Sequence, residues 1–437
     1  MGLLETLIYI GVGAITVLIP TLYFLRERRK SRAAQAKLDQ AMESGLDQPV
    51  SIHPRINPDI CIGSGACVLA CPEKDVLGLV NNRAVLINPA HCIGHGLCQA
   101  ACPVDAITLV FGTEKRGVDI PHVKGNFETN VPGIYIAGEL GGMGLIANAV
   151  RQGVEAAHYI AQGLEKHGKD DILDLAIVGA GPAGIAASLQ AQKEGLSFVT
   201  LDQDDLGGTI LTYPRRKLVM TTPMDLPGYG KVRLREIKKE ALLELFQDVF
   251  AKTGLSVLAS NKVEDIARDN GNFKLRAKQG QYFARRVLLA IGRRGSPRKL
   301  GVPGEVSPKV AYRVIEPEKY AGLKILVVGG GDSAVEAAVA LSEQPGTSVH
   351  ISYRQEKIFR IKEGNRQRLD AAVAAKRIIP MLPSEVVRIE PDTAILTHQG
   401  AELALTIDYI FIFAGGELPT EFLQKIGIEF TRKFGEV

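Results

Sequence analysis

All six cysteines of the 437-residue chain lie between Cys61 and Cys102. They form two copies of one pattern: Cys61, Cys67, Cys71 and Pro72 in DICIGSGACVLACPE return 31 residues later as Cys92, Cys98, Cys102 and Pro103 in HCIGHGLCQAACP. A secreted disulfide scaffold spreads its cysteines through a short chain, whereas clustering inside Gly-rich turns argues for a metal centre in a reducing compartment. The pattern is the iron-sulfur run C-x2-C-x2-C-x3-C-P with its second cysteine replaced. Ser64 stands at that place in the first copy and His95 in the second.

The N-terminus adds a second constraint. From Leu7 to Leu25 the stretch LIYIGVGAITVLIPTLYFL carries no charge, about enough helix to cross a hydrocarbon core of roughly 30 Å. Tyr9 and Tyr23 sit where aromatic belts form, and Pro20 is tolerated in a membrane helix. The basic run RERRKSR follows at 26–32. A cleaved signal peptide would carry its positive charge ahead of the apolar run, so the order predicts an uncleaved single-pass anchor in the cytoplasmic membrane with the catalytic domains in the cytoplasm. The start MGLLET also matches a myristoylation pattern, which a full span makes unnecessary.

Beyond residue 174 apolar strands alternate with amphipathic helices, the mark of parallel-sheet nucleotide-binding units. In the first unit Gly179, Gly181 and Gly184 follow a strand in G-x-G-x-x-G spacing, open a helix, and precede a second strand ending at Asp202. These glycines let a backbone approach a pyrophosphate at a helix N-terminus, and Asp202 stands where an acid grips a ribose. In the second unit Gly329, Gly331 and Ala334 repeat the spacing, with Asp332 and Ser333 between them. Its second strand ends at Tyr353, with Arg354 and Arg360 after it. Without an acid there and with arginines to bind a 2′-phosphate, NADPH is favoured over NADH. The net charge of +4 and the lack of a basic stripe give no case for nucleic acid.

Each cysteine run resembles half of a bacterial two-cluster ferredoxin. The nucleotide units resemble the low-molecular-weight thioredoxin reductase superfamily, especially its ferredoxin-NADP reductase branch, through GAGPAG at 179–184, LLAIGR at 288–293, GGGDSA at 329–334 and IFIFAGGELPTEFL at 410–423. The resemblance implies FAD in the first unit and NADPH in the second. It also implies that the last cysteine of each run serves the other cluster, so that one site takes Cys61, Cys67 and Cys102 beside Ser64, and the other takes Cys92, Cys98 and Cys71 beside His95. Either Ser64 and His95 complete [4Fe-4S] clusters or one or both sites hold [3Fe-4S], with His95 the better candidate ligand.

Two departures matter. Tyr312 and Ile315 stand where thioredoxin reductases carry a redox C-x-x-C, which excludes disulfide reduction by that route. The segment NFETNVPGIYIAGELGG and the helix after it, which close such chains over the flavin, lie at 126–162, ahead of the first fingerprint. The order looks like a circular permutation, with Gly138 and Glu139 in the place of the family's flavin-contacting Gly-Asp.

The expected fold is α/β: two Rossmann-like domains, a small α+β ferredoxin domain and one transmembrane helix. The expected boundaries are 1–30 for the anchor, 31–50 for a linker that opens with a short helical stalk rich in Ala, Gln and Lys, 51–112 for the ferredoxin domain, 113–295 completed by 416–437 for the FAD domain, and 296–415 for the NADPH domain. The expected function is electron transfer between NADPH, FAD and the two clusters, in either direction, to or from a redox protein or quinone, with no protein acid or base required and a homodimer compatible. The rival readings are a non-enzymatic redox-sensing or wiring subunit and, less favoured, a disulfide reductase.

Overall fold

The computed structural model describes residues 2–43, 47–49, 52–114, 117–141, 145–165, 172–213, 215, 217–234, 236–293, 297–359, 361, 363–416 and 419–436. The chain forms two compact units, Met1–Val118 with Lys433–Val437, and Asp119–Arg432. The expected FAD and NADPH domains thus share one unit, and residues 433–437 join the ferredoxin unit instead of the FAD domain.

In the first unit helix α1 (Leu3–Glu43) is unbroken, so the short helical stalk expected after the apolar stretch is continuous with it and runs to Glu43. Its described residues from Tyr9 to Leu25 include large apolar side chains that are exposed, Tyr9 at 68% and Phe24 at 63% among them. Past the basic run the helix becomes a packing element: Ala34 and Ala41 are buried, and α1 lies along a later strand of the unit.

The rest of this unit is β1 (His53–Ile56), α2 (Ala66–Ala70), β2 (Leu77–Val80), β3 (Arg83–Leu86), α3 (Leu97–Ala100) and β4 (Ile107–Val110). β1 pairs antiparallel with β4 and β2 with β3. Asn81 and Asn82, both left-handed at φ 49 and 59, turn β2 into β3, a turn for which Asn is one of the few suitable residues. The core consists of Cys61, Cys67, Cys92 and Cys98 with Val76, Leu77, Ala84, Ala106 and Ile107. Four of the nine buried residues of this cluster are cysteines, so a metal centre held by these thiols would add folding energy to a small core.

The second unit contains β5 (Val118–Pro121), which enters it from the first, then β6 (Ile134–Ile136), α4 (Ile146–Gln162), β7 (Leu173–Val178), α5 (Pro182–Glu194) and β8 (Phe198–Leu201). The strand Gly280–Leu289 organises the first half. Its N-terminal part pairs antiparallel with Asn272–Ala277, and its C-terminal part lies between β6 and β7, parallel to both. β7 pairs in turn with β8. Ile134 and Ile136 share a core with Val178, Leu289 and, from the end of the unit, Leu423, Ile426 and Ile428.

The second half is a parallel sheet in the order Val310–Ala311, Tyr409–Ile412, Lys324–Val328, Ser348–Ser352, Ile378–Met381. Helix Asp332–Ser342 packs on it through Val335, Val339 and Leu341. A three-stranded antiparallel sheet from Ser384 to Thr406 flanks it.

Asp174 ties the start of β7 to its surroundings, accepting from the Ser197 N–H (3.0 Å) and Oγ (2.9 Å) and from Arg285 (3.1 Å). Burial alone would raise its pKa, but the Ser197 and Arg285 hydrogen bonds prevail and hold it below the ordinary 3.8. The native state therefore binds fewer protons than the unfolded chain below that value, so this contribution is present above about pH 3.8 and fades as pH falls through the lower folded value. Asp174→Asn is expected to lower apparent stability by about 1–3 kcal/mol at neutral pH. In paired denaturant titrations the gap between the two proteins should close below pH 4.

Candidate functional site

The cysteine loops are shaped by left-handed glycines. Gly63 and Gly65 (φ 70 and 72) and Gly94 and Gly96 (φ 76 and 77) turn the chain before α2 and α3, a conformation glycine adopts without a Cβ penalty. Cys61, Cys67 and Cys102 line one small cavity, and Ser64 lines it too. The last cysteine of the second run thus stands with the first two of the first run. Ser64 is exposed, its Oγ accepting weakly from the Ala66 N–H at 3.4 Å. Of the remaining thiols, Cys92 senses the charge of Cys71, and Cys98 senses Cys92, Cys71 and also Cys67 of the first run. His95 follows Gly94 in that second loop and is half-buried.

Burial pushes Cys92 and Cys98 up to about 11 and raises Cys67 and Cys71. Metal-free, such thiols stay protonated at neutral pH, and iron would bind them with loss of the protons. Among the described residues the side chains form no group suited to a single metal ion. Thiols spread around a cavity are the donor set that a multi-iron cluster fits.

The first fingerprint sits between β7 and α5. Gly179 is left-handed at φ 109, and a Cβ there would lie 2.5 Å from the Ala290 carbonyl oxygen. Gly184 passes so close that a Cβ would lie 1.8 Å from the Gly179 oxygen, while a Cβ on Gly181 would meet nothing within 4 Å. The first and third glycines are thus required by the protein itself, and the second leaves open space at the N-terminus of α5. Backbone amides and the helix dipole there suit a pyrophosphate, so the site fits FAD.

Asp202 is buried at the end of β8 and accepts from the Ala180 N–H (2.5 Å) and the Asp204 N–H (2.8 Å). Burial, the largest influence, raises its pKa. The acid expected to grip a ribose is thus also a brace for the fingerprint turn.

The segment before the fingerprint reaches the same point. Gly138 is left-handed at φ 86, and its Cβ would lie 2.9 Å from the Ala183 Cβ. Its N–H donates to Gln152 Oε1 at 2.8 Å. Within α4 a Cβ on Gly153 would lie 2.1 Å from the Ala183 oxygen. Glu139, exposed, opens the short helix Glu139–Gly141. Its charge reaches Arg293, whose pKa burial lowers and Glu139 partly restores. Gln152, Gly153 and Arg293 escaped sequence reasoning. Glycine inside an amphipathic helix, as at Gly153, was the one available signal of a close approach.

In the second unit Gly329 is left-handed at φ 144, with the Phe413 oxygen 2.6 Å and the Ala334 Cβ 3.1 Å from where a Cβ would stand. Gly331, like Gly181, faces open space and leads into the helix that holds Asp332, Ser333 and Ala334, so this site fits a second dinucleotide. Asn365 donates to Asp332 Oδ1 at 2.6 Å and to Glu336 Oε1 at 3.2 Å. The Gly329 N–H donates to the Ser352 carbonyl at 2.9 Å, which places Tyr353 and exposed Arg354 beside the loop. Gly330 makes room for Tyr353: a Cβ would lie 2.5 Å from its ring. Arg360 lies outside the described residues. Where a redox cysteine pair would stand, the Tyr312 hydroxyl donates to Glu305 at 2.8 Å, and burial helps push it up to about 12. Ile315 is 44% exposed.

A family model described as pyridine nucleotide-disulphide oxidoreductase matches residues 176–435, and one described as a 4Fe-4S dicluster domain matches 53–103. The chain belongs to the pyridine nucleotide-disulphide oxidoreductase family and carries a 4Fe-4S dicluster domain ahead of the matched region. It is similar to the ferredoxin-NADP reductase of Ignicoccus hospitalis, 29% identical over 265 residues that cover 60% of this chain and 83% of that one. It is also similar to the ferredoxin-NADP reductase of Thermus thermophilus, 32% identical over 272 residues covering 59% and 75%. In fold it is similar to the bacillithiol disulfide reductase of Staphylococcus aureus, with TM-score 0.54, 23% identity and coverage of 60% and 84%. The chain is accordingly an FAD-dependent NAD(P)H oxidoreductase with an iron-sulfur domain. No cysteine falls within residues 176–435, so its nucleotide units hold no dithiol.

Two glycine variants separate packing from binding. Gly153→Ala should force α4 away from the Ala183 backbone, lowering stability by about 1–3 kcal/mol and releasing flavin. Gly181→Ala, with open space for its methyl, should keep the thermal transition while weakening FAD retention in gel filtration. Equal behaviour of the two would contradict this division of roles.

Proposed function

We propose that the chain is a membrane-anchored oxidoreductase that passes electrons between NADPH and two iron-sulfur clusters, in either direction, serving a redox protein or quinone. The observation that carries this reading is the placement of all six thiols around the two cysteine loops, with two dinucleotide turns elsewhere and no thiol beside either. When bound, FAD supplies conversion between hydride chemistry and the one-electron chemistry of an iron-sulfur centre. Gly179, Gly181 and Gly184 would hold the FAD pyrophosphate, with Asp202 at the ribose and Gly138 and Glu139 beside the flavin. Gly329, Gly331, Asp332, Ser333 and Ala334 would hold the NADPH pyrophosphate, and Arg354 and Arg360 its 2′-phosphate. One cluster would take Cys61, Cys67 and Cys102 with Ser64, the other Cys92, Cys98 and Cys71 with His95.

The anchor reading rests on an 18-residue apolar window of α1 with mean hydropathy 1.5, in which no described residue is buried. A helix in a soluble core would be covered by its own protein, and exposed apolar surface of this length calls for lipid. The permutation reading rests on two features: β6 sits beside Gly280–Leu289, and residues 427–429 hydrogen-bond with His122 and Asn130. Residues 427–429 beside the segment that would follow them in unpermuted order form the arrangement permutation requires.

Anaerobic stopped-flow mixing with NADPH should bleach flavin absorbance before cluster absorbance, and cluster reduction with no preceding flavin change would refute the route. EPR of the oxidised sample separates three-iron from four-iron centres. Arg354→Ser should raise the KM for NADPH about tenfold, the value of one charged hydrogen bond, and leave the KM for NADH unchanged.

A further inference from the structure

The two cysteine loops are alike in sequence but lean on different supports. A Cβ on Gly63 would lie 2.1 Å from the Asn82 oxygen, whereas one on Gly94 would lie 2.2 Å from the Ile52 side chain. The first loop is therefore seated on the β2–β3 turn. That turn touches α1: the Asn81 N–H donates to Ser31 Oγ at 3.0 Å, and a Cβ on Gly78 would lie 3.1 Å from the Ala34 Cβ. With Gly78 beside Ala34 and Asn81 beside Ser31, β2 runs back along the helix and its turn points towards the apolar stretch.

Ser31 stands six residues beyond Leu25, the last residue of that stretch, or about 9 Å along the helix axis. The headgroup layer on one side of a bilayer is about 5–7 Å thick. The turn, and the first loop seated on it, thus lie at the outer edge of the lipid headgroups. Between them and the apolar stretch stand Arg26, Arg28 and Arg29, with Lys30 paired to Glu27 at 2.7 Å, and the arginines draw an anionic lipid surface close. The loop carries apolar side chains in the open: Ile60 is 46%, Ile62 64% and Leu69 89% exposed. Ile62 also lines the cavity of Cys61, Cys67 and Cys102.

We infer that loop 59–69 is the membrane-facing edge of the ferredoxin unit, resting Ile60, Ile62 and Leu69 in the headgroup interface of an anionic bilayer. The cavity of Cys61, Cys67, Cys102 and Ser64 is then the one held against the lipid surface. The inference rests on the anchor reading and adds to it an orientation, set by the unbroken helix and the Ser31–Asn81 contact.

Photolabelling of the full-length protein in nanodiscs of anionic phospholipid tests it. A phospholipid with a diazirine in its headgroup region is activated by light, and tryptic peptides are read by mass spectrometry. Peptide 56–74 contains the loop, peptide 84–115 the second loop, and a lipid with the diazirine in its acyl chain reports on peptide 1–26. The expected result is acyl labelling of 1–26 and headgroup labelling of 56–74 several-fold above 84–115. Ile60→Ser with Leu69→Ser should lower labelling of 56–74 while cluster absorbance and labelling of 1–26 persist. Labelling of 1–26 with 56–74 no higher than 84–115 overturns the orientation and leaves the anchor standing. Unlabelled 1–26 overturns the anchor itself, and the orientation with it.

Discussion

The backbone around Ala183 is the point on which the flavin half of the molecule depends. Three glycines approach it or its turn from different parts of the chain: Gly138 from the short segment after β6, Gly153 from the middle of α4, and Gly184 from the fingerprint itself. In each case a side chain would overlap backbone or a neighbouring Cβ, and backbone cannot yield as a flexible side chain can. The stretch 126–162 is consequently locked onto the helix that would receive the FAD pyrophosphate, although it precedes that helix in sequence. Gln152 adds a polar clasp by accepting from the Gly138 amide.

The ferredoxin unit obeys the opposite economy. Its interior holds cysteines where a larger domain would hold leucines, so its order and its redox centres are one property. The nucleotide half has aliphatic cores of its own around Ile325, Val327, Val335 and Ile351. Removal of iron should loosen the first while the second persists, since each relies on a different source of folding energy.

Much of the site was legible because its chemistry is local. The spacing of Cys61, Cys67 and Cys71, and of Gly179, Gly181 and Gly184, encodes a loop shape that a reader can recover without coordinates. Asp202 was found by its position at a strand end, but its hydrogen bonds to Ala180 and Asp204 were not, since those donors are backbone and carry no sequence signature. Arg293 appeared only as the end of a familiar string, and its link to Glu139 joins residues more than 150 positions apart. The helical run through residues 31–43 was read as giving way to a linker. Its alanines looked like stalk, and only the tertiary structure, with Gly78 beside Ala34, shows Ala34 and Ala41 as buried core.

By itself the sequence determined the kinds of chemistry present: clustered thiols for iron and sulfur, glycine turns for dinucleotides, an apolar helix with a basic flank, and no dithiol in the nucleotide units. These follow from residue type and short-range spacing, which local sterics and ligand preference translate directly into structure. Tertiary structure alone decided which thiols share a cavity, which glycines bear on Ala183, and which loop lies along the helix that leaves the apolar stretch. Those are contacts between distant residues, selected by packing across the whole chain, and no local pattern contains them.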